Sequence, residues 1–253
     1  MKKNILLFMS AMALSLAISC NKEDNDPIIE FKDPHVLQAL INSYGYDKNG
    51  DGRISQKEAD VVIDINLPNS GIRSFDEISY FHNVKRISLS GNQLTSIDVS
   101  NNSLLETLHC KNNLLTTLDV SNNLLLKFLD CNNNQLTTLD VSNNLLLETL
   151  HCNNNLLTTL DVSSNVALCT LDISNNQLLT SIDLRNNTNL DRFYCKNNKL
   201  TVLDLSKNKL VGKSDTTNPF VGTPLQKLII SYYSMLNEWW KNYYKDIIEY
   251  VYN

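Results

Sequence analysis

The twelve residues from Asp47 to Glu58, DKNGDGRISQKE, set oxygen donors at regular places along one short loop. Asp47, Asn49 and Asp51 offer side-chain oxygens at the first, third and fifth places. Arg53 offers its backbone carbonyl at the seventh, Ser55 a hydroxyl acting through water at the ninth, and Glu58 two carboxylate oxygens at the twelfth. A hard cation such as calcium takes roughly six to eight oxygens, and this spacing can supply them. Gly52 stands where the turn is sharpest, in a conformation L-residues resist. Ile54 faces the opposite way, into a core. An Asp/Gly-rich surface turn is the plain alternative, but it explains neither the terminal Glu58 nor the apolar Ile54. One Ca2+ ion is expected here.

The histidines and cysteines are spaced by a longer period. Cys110, Cys131 and Cys152 recur in near-copies of one text, LETLHCKNNLLTTLDVSNNLL, whose period of 21 residues is that of a solenoid. The register extends back to Val84 and forward through units starting at Leu168 and Leu190, with one residue inserted before Leu179. In each coil two alternating apolar positions, such as Leu108 and Cys110, turn inward from a short strand, and the residues between them face out. Parallel strands then stack coil upon coil. Asn113, Asn134, Asn155, Asn176 and Asn198 fall at the turn, where an amide column can satisfy orphaned backbone groups. Asp98, Asp119, Asp140, Asp161, Asp183 and Asp204 form a second column. Adjacent like charges repel by about 1 kcal/mol in water, so these aspartates are expected to accept hydrogen bonds from threonines or backbone N–H groups.

The outward strand positions vary, so a ligand surface would be written there. One column reads Ser88, His109, Asp130, His151, Asp172 and Tyr194; its neighbour reads Arg86, Thr107, Phe128, Thr149, Thr170 and Arg192. Alternating His and Asp could hold a metal or pair an acid with a base. Two stacked strands separate His109 from His151 by about 10 Å, too far for one ion without movement. Polar contacts across coils, pH-sensitive near about 6.5, are the simpler role. No serine or cysteine nucleophile joins them in a workable constellation, so no active site is read and the chain is not expected to be an enzyme. The column cysteines stand where Leu89 and Ile173 stand in sister coils. They read as buried free thiols rather than as bridges or metal ligands. Cys169 lies outside that column.

The consensus L-x-x-L-x-C-x-x-N-x-L-x-x-L-D-V-S-x-N resembles the nested 21-residue class of bacterial leucine-rich repeats, over roughly residues 62–209. The unit with Val62, Ile65, Leu67, Ser70, Ile72, Phe75, Ile78 and Phe81 looks like a 22-residue repeat of the internalin type and leads the array. The loop at 47–58 resembles an EF-hand, entered by a helix carrying Val36, Leu37, Leu40, Ile41 and Tyr44 and left through a short turn. With only one such loop, a structural cap over 34–61 is expected rather than a switch. The resemblance implies a leucine-rich-repeat solenoid of the horseshoe superfamily, rich in parallel β-structure. It also implies adhesion or recognition of a protein, or of a glycan, through the outward strand face. Residues 210–253 are expected to close the array with a final strand around Leu225, Leu228 and Ile230. An aromatic helical cap should follow, bearing Met235, Leu236, Trp239, Trp240, Tyr243, Ile247 and Val251.

The N-terminus reads as targeting. Lys2 and Lys3 precede an apolar run from Ile5 to Ile18, too short to span a membrane comfortably. The ending Leu16-Ala17-Ile18-Ser19-Cys20 resembles a bacterial lipobox, which implies removal of residues 1–19 and lipid on Cys20. The tether at 20–33 begins Asn21-Lys22-Glu23-Asp24, resembling the export signal of surface lipoproteins of the outer membrane. Attachment is then by the lipid anchor only. A lipoprotein facing the periplasm, spacing other proteins, is the alternative. The formal charge of −5 gives no footprint for phosphate backbones, so nucleic acid is not an expected partner. Seven glycines in 253 residues argue against nucleotide loops. A monomer is expected.

Overall fold

The computed structural model describes residues 26–43, 45–208, 220–231 and 242–251. Cys20, Tyr44, Met235, Leu236, Trp239 and Trp240 lie outside them, as do residues 1–19. The architecture is a stack of short coils read by its strands: β1 (Asp64–Asn66), β2 (Arg86–Ser88), β3 (Thr107–His109), β4 (Phe128–Asp130), β5 (Thr149–His151), β6 (Thr170–Asp172) and β7 (Arg192–Tyr194). They form one seven-stranded parallel sheet in sequence order. Successive strands keep strict register, as in Leu108 opposite Leu129 and Leu129 opposite Leu150. This is the expected leucine-rich-repeat solenoid.

Strands of three residues persist because every coil buries the same apolar set. In the coil of β4, Leu126, Leu129, Cys131, Leu136, Leu139 and Val141 are all buried. Each such side chain contributes about 1.5–3 kcal/mol relative to exposure, and no coil could hold that set dry without its neighbours. The turns are satisfied by two asparagine columns. Asn134 Nδ2 donates to the Cys110 and Cys131 carbonyls, and its Oδ1 accepts from Leu115 N. A second column, Asn102, Asn123, Asn144, Asn165, Asn187 and Asn208, is also buried. Asn144 Nδ2 donates to the Val120 and Asn123 carbonyls at 3.0 and 2.9 Å. A third set, including Asn112, Asn133 and Asn154, adopts φ of 52–55°, a left-handed conformation that asparagine tolerates better than most residues.

The expected N-terminal cap is present. Helix α1 (Pro34–Asn42) and the short α2 (Gln56–Asp60) flank the 47–58 loop, and Val36, Leu40 and Ile54 are fully buried against the first coils. Asp33 caps α1 through His35 N and also accepts from the Arg73 and Ser74 N–H groups of the first repeat turn. Tyr46 completes the exposed edge of the sheet. Its hydroxyl donates to the Asp64 carbonyl and accepts from Asn66 N. An edge strand satisfied in this way no longer offers its backbone to another chain.

The C-terminal end departs from expectation. Beyond β8 (Val202–Asp204), β9 (Lys227–Ser231) appears where a final strand was expected. Ile248–Val251, read as part of an aromatic helix, is instead a strand, β10, lying parallel to β9. Its apolar residues fit both periods over so short a run. Pairing with the open edge of β9 satisfies a row of backbone groups that a helix would have left exposed.

Candidate functional site

The outward residues of β2–β7 form one continuous face because each strand turns its middle residue inward. Ile87, Leu108, Leu129, Leu150, Leu171 and Phe193 are buried, which forces the residues on either side of each outward. Phe128 marks the centre of this face. Its ring lies 4.7 Å from that of His109 and 5.7 Å from that of His151, the latter edge-on at 79°. The register sets His109 and His151 on either side of Asp130.

Asp130 lies on the outward side as expected from the sequence, but it is covered, its side chain only 5% exposed. His109 Nδ1 stands 3.9 Å away and Lys111 Nζ 3.5 Å away, and together they cover it. Burial pushes its carboxyl up, but His109, the Lys111 ammonium, the Asn132 N–H and His151 outweigh burial and hold it below its ordinary value. Asp130 is therefore a buried anion fixing His109 and Lys111. Arg86 is likewise engaged, its Nε and Nη2 reaching Asp64 Oδ2 at 3.0 and 2.8 Å. Asp172 accepts from Ser174 N. Arg192 is exposed and Tyr194 half-buried at the far end of the sheet. Thr170 is buried.

The thiols of Cys110, Cys131, Cys152 and Cys195 are free and buried, as read from the sequence. Burial raises all four well above the usual thiol value, which leaves no thiolate for nucleophilic or redox chemistry. Cys169 is exposed. On the opposite face each aspartate accepts from the backbone N–H two residues on, as Asp140 does from Ser142 and Asp161 from Ser163. Those bonds hold both carboxyls below the ordinary range, and threonine is not the donor.

In the loop at 47–58, Gly50 and Gly52 take φ of 72° and 80°. Their N–H groups turn inward to Asp47 Oδ1 and Oδ2. Asp51 N donates to Asn49 Oδ1 and Arg53 N to Asp51 Oδ1. Glu58 closes the ring. Its Oε1 accepts from Lys48 N at 2.7 Å, and its Oε2 from Ser55 N in a capping box. Burial opposes the Glu58 charge, yet these donors hold its carboxyl below the ordinary value. All the oxygen types that calcium requires are present on one loop, with free lone pairs remaining. Among the described residues no three His, Cys, Asp or Glu side chains converge on a common point. Asn49, the Arg53 carbonyl and Ser55 carry further oxygens on the same loop, and the Ser55 hydroxyl donates to Glu58 Oε2. Ile29 N bonds the Ile54 carbonyl and Gln56 N the Pro27 carbonyl, so the tether's last residues pair with the loop's back.

Fold and face together define a leucine-rich-repeat solenoid. It is similar to a functional domain of InlJ from Listeria monocytogenes, which includes a cysteine ladder, at 31% identity and a TM-score of 0.62. The match covers 71% of this chain and 46% of that one, so the chain spans less than half of that structure's length. Internalin C2 of the same organism is 19% identical over 78% of this chain and 93% of its own, with a TM-score of 0.53. The internalin InlF, also of L. monocytogenes, is 21% identical over 88% and 75%, with a TM-score of 0.53. No family model and no curated protein matches the chain. Among the described residues no helix is long and apolar enough to cross a membrane.

Proposed function

We propose that this chain is a non-enzymatic surface lipoprotein, held to the outer membrane by acyl chains on Cys20, that binds a protein ligand through the face of β2–β7. The observation that carries the reading is the Phe128 ring set between His109 and His151, on the strand that also bears the buried Asp130. Aromatic anchors near the centre of a face are where binding energy concentrates. Arg192 and Tyr194 extend that surface, while the inward and asparagine columns recur from coil to coil and cannot encode a partner. Calcium, held by Asp47, Asn49, Asp51, the Arg53 carbonyl, Ser55 and Glu58, supplies fixed positive charge that stiffens the cap. It has no part in ligand chemistry.

The test is capture of a partner by the immobilised full chain, followed by titration of that partner against variants. Phe128→Ala and Tyr194→Ala should each weaken binding about tenfold or more with unchanged melting temperature. Binding that survives both changes, and is lost on replacing Trp239 and Trp240 in a folded protein, refutes the face. A captured glycan in place of a protein would redirect the ligand class but not the surface.

A further inference from the structure

Just before each strand the coil presents residues that a solenoid has no packing reason to make apolar. Leu104, Leu124, Leu125, Leu145, Leu146 and Val166 are between 37% and 57% exposed. They lie on successive coils and form one patch, on the order of 500 Å², a size at which exposed apolar surface marks an interaction site. The patch has ends. The same positions carry the exposed His82 and Asn83 in the preceding coil, and Thr188 and Asn189 beyond Val166.

Beside it runs a column of Lys85, Glu106, Lys127, Glu148, Cys169 and Asp191. It is locked in register by backbone bonds from each residue to the carbonyl of the one before. Lys127 bonds Glu106 at 2.9 Å within the chain, and Lys85 lies 3.7 Å from Glu106. Any two-fold axis passing between neighbouring coils opposes unlike signs, and the leucines select which one. Consider a two-fold axis perpendicular to the solenoid, passing between the coils of Leu125 and Leu146. It sets Lys127 against Glu148 of the other copy, Glu106 against the uncharged Cys169, and Lys85 against Asp191. The same axis sets Leu125 against Leu146, Leu124 against Leu145, and Leu104 against Ala167. An axis through the level of Lys127 would instead oppose two lysines. An axis moved by one coil would put leucines against Asn83 or Asn189.

We propose that the chain pairs with a second copy of itself, antiparallel, through this leucine edge, with the two-fold axis between the coils of Leu125 and Leu146. Two such patches bury on the order of 1,000 Å², the lower bound of a specific interface, so the dimer is reversible rather than obligate. The pairing is isologous and closes on itself without growing into fibres. It replaces the monomer expected from the sequence. A lipid surface is the competing occupant. The flanking column carries three acids to two lysines, which gives an anionic headgroup layer no electrostatic purchase.

Sedimentation equilibrium of the full chain in density-matched non-ionic detergent tests the register. The wild-type chain should dimerise reversibly in the micromolar range. Leu146→Glu should be monomeric with an unchanged circular-dichroism melt. Lys127→Glu and Glu148→Lys should each weaken the dimer about tenfold, and the double reversal should restore it, because each copy then again faces the opposite sign. A monomeric wild-type chain, or a double reversal no tighter than the single ones, overturns the proposal. Loss of binding to phosphatidylcholine–phosphatidylglycerol vesicles on Leu146→Glu, with a wild-type monomer, would assign the edge to lipid and equally overturn it.

Discussion

Asp33 joins the cap to the first repeat, and its removal has a magnitude that can be worked out. One carboxylate, 6% exposed, accepts from His35 N and Nδ1 at 2.9 Å and from Arg73 N and Ser74 N at 2.6 and 3.2 Å. Burial is the largest single influence and raises its carboxyl. The backbone bonds from Arg73, His35 and Ser74, with the His35 ring, together outweigh burial and bring it from 3.8 to about 2. A carboxyl lowered in the folded state stabilises above its unfolded value and loses that contribution as pH falls through the folded one. The linkage is worth about 2 kcal/mol at neutral pH. Asp33→Asn keeps the shape and removes the charge, so it should cost about that much at pH 7, roughly 4–8 °C in melting temperature. The gap between wild type and variant should narrow as pH is lowered from 5 toward 2. Hydrogen exchange at the Arg73 and Ser74 amides reports the same loss locally, since their acceptor weakens. A gap independent of pH, or unchanged protection of those two amides, would refute this account of how the cap is fastened.

Two further outcomes follow from the N-terminal reading. If the 47–58 loop holds calcium, saturating calcium should raise the melting temperature over chelator, by about 2.7 kcal/mol at a hundredfold excess over Kd. Glu58→Gln should abolish the difference between the two conditions, whatever it costs in either one, and equal melts with and without calcium in the wild-type chain would sink the site. Replacing Cys20 by alanine should release the chain from membranes into the soluble fraction, and retention of that variant on washed membranes would refute the lipid anchor.

What was legible in the sequence is what the period enforces. An inward position in a coil must be apolar, so Leu108, Cys110, Leu129 and Cys131 announced strand, register and burial together. The turn amides at Asn113 and Asn134 were equally plain. The column of Asn123, Asn144 and Asn165 was less so, although an invariant asparagine after D-V-S-x marked it. Its role depends on carbonyls of the preceding coil, as in the bonds of Asn144 to Val120 and Asn123, and these are adjacent only in space. The cover over Asp130 was missed for a related reason. Alternation put it outward correctly, but coverage by Lys111, on the coil before, is a property of side chains that periodicity does not carry. At the C-terminus the period had already lapsed, and a short apolar run could serve helix or strand until the open edge of β9 decided it. The exceptions are therefore of two kinds. Some, like Asp130, are periodic positions modified by a neighbour. Others, like Leu125 and Leu146, repeat faithfully yet satisfy no demand of the coil that bears them. Singly such a leucine would mean nothing, but repeated over successive coils they add up to a patch of the size that marks an interaction site.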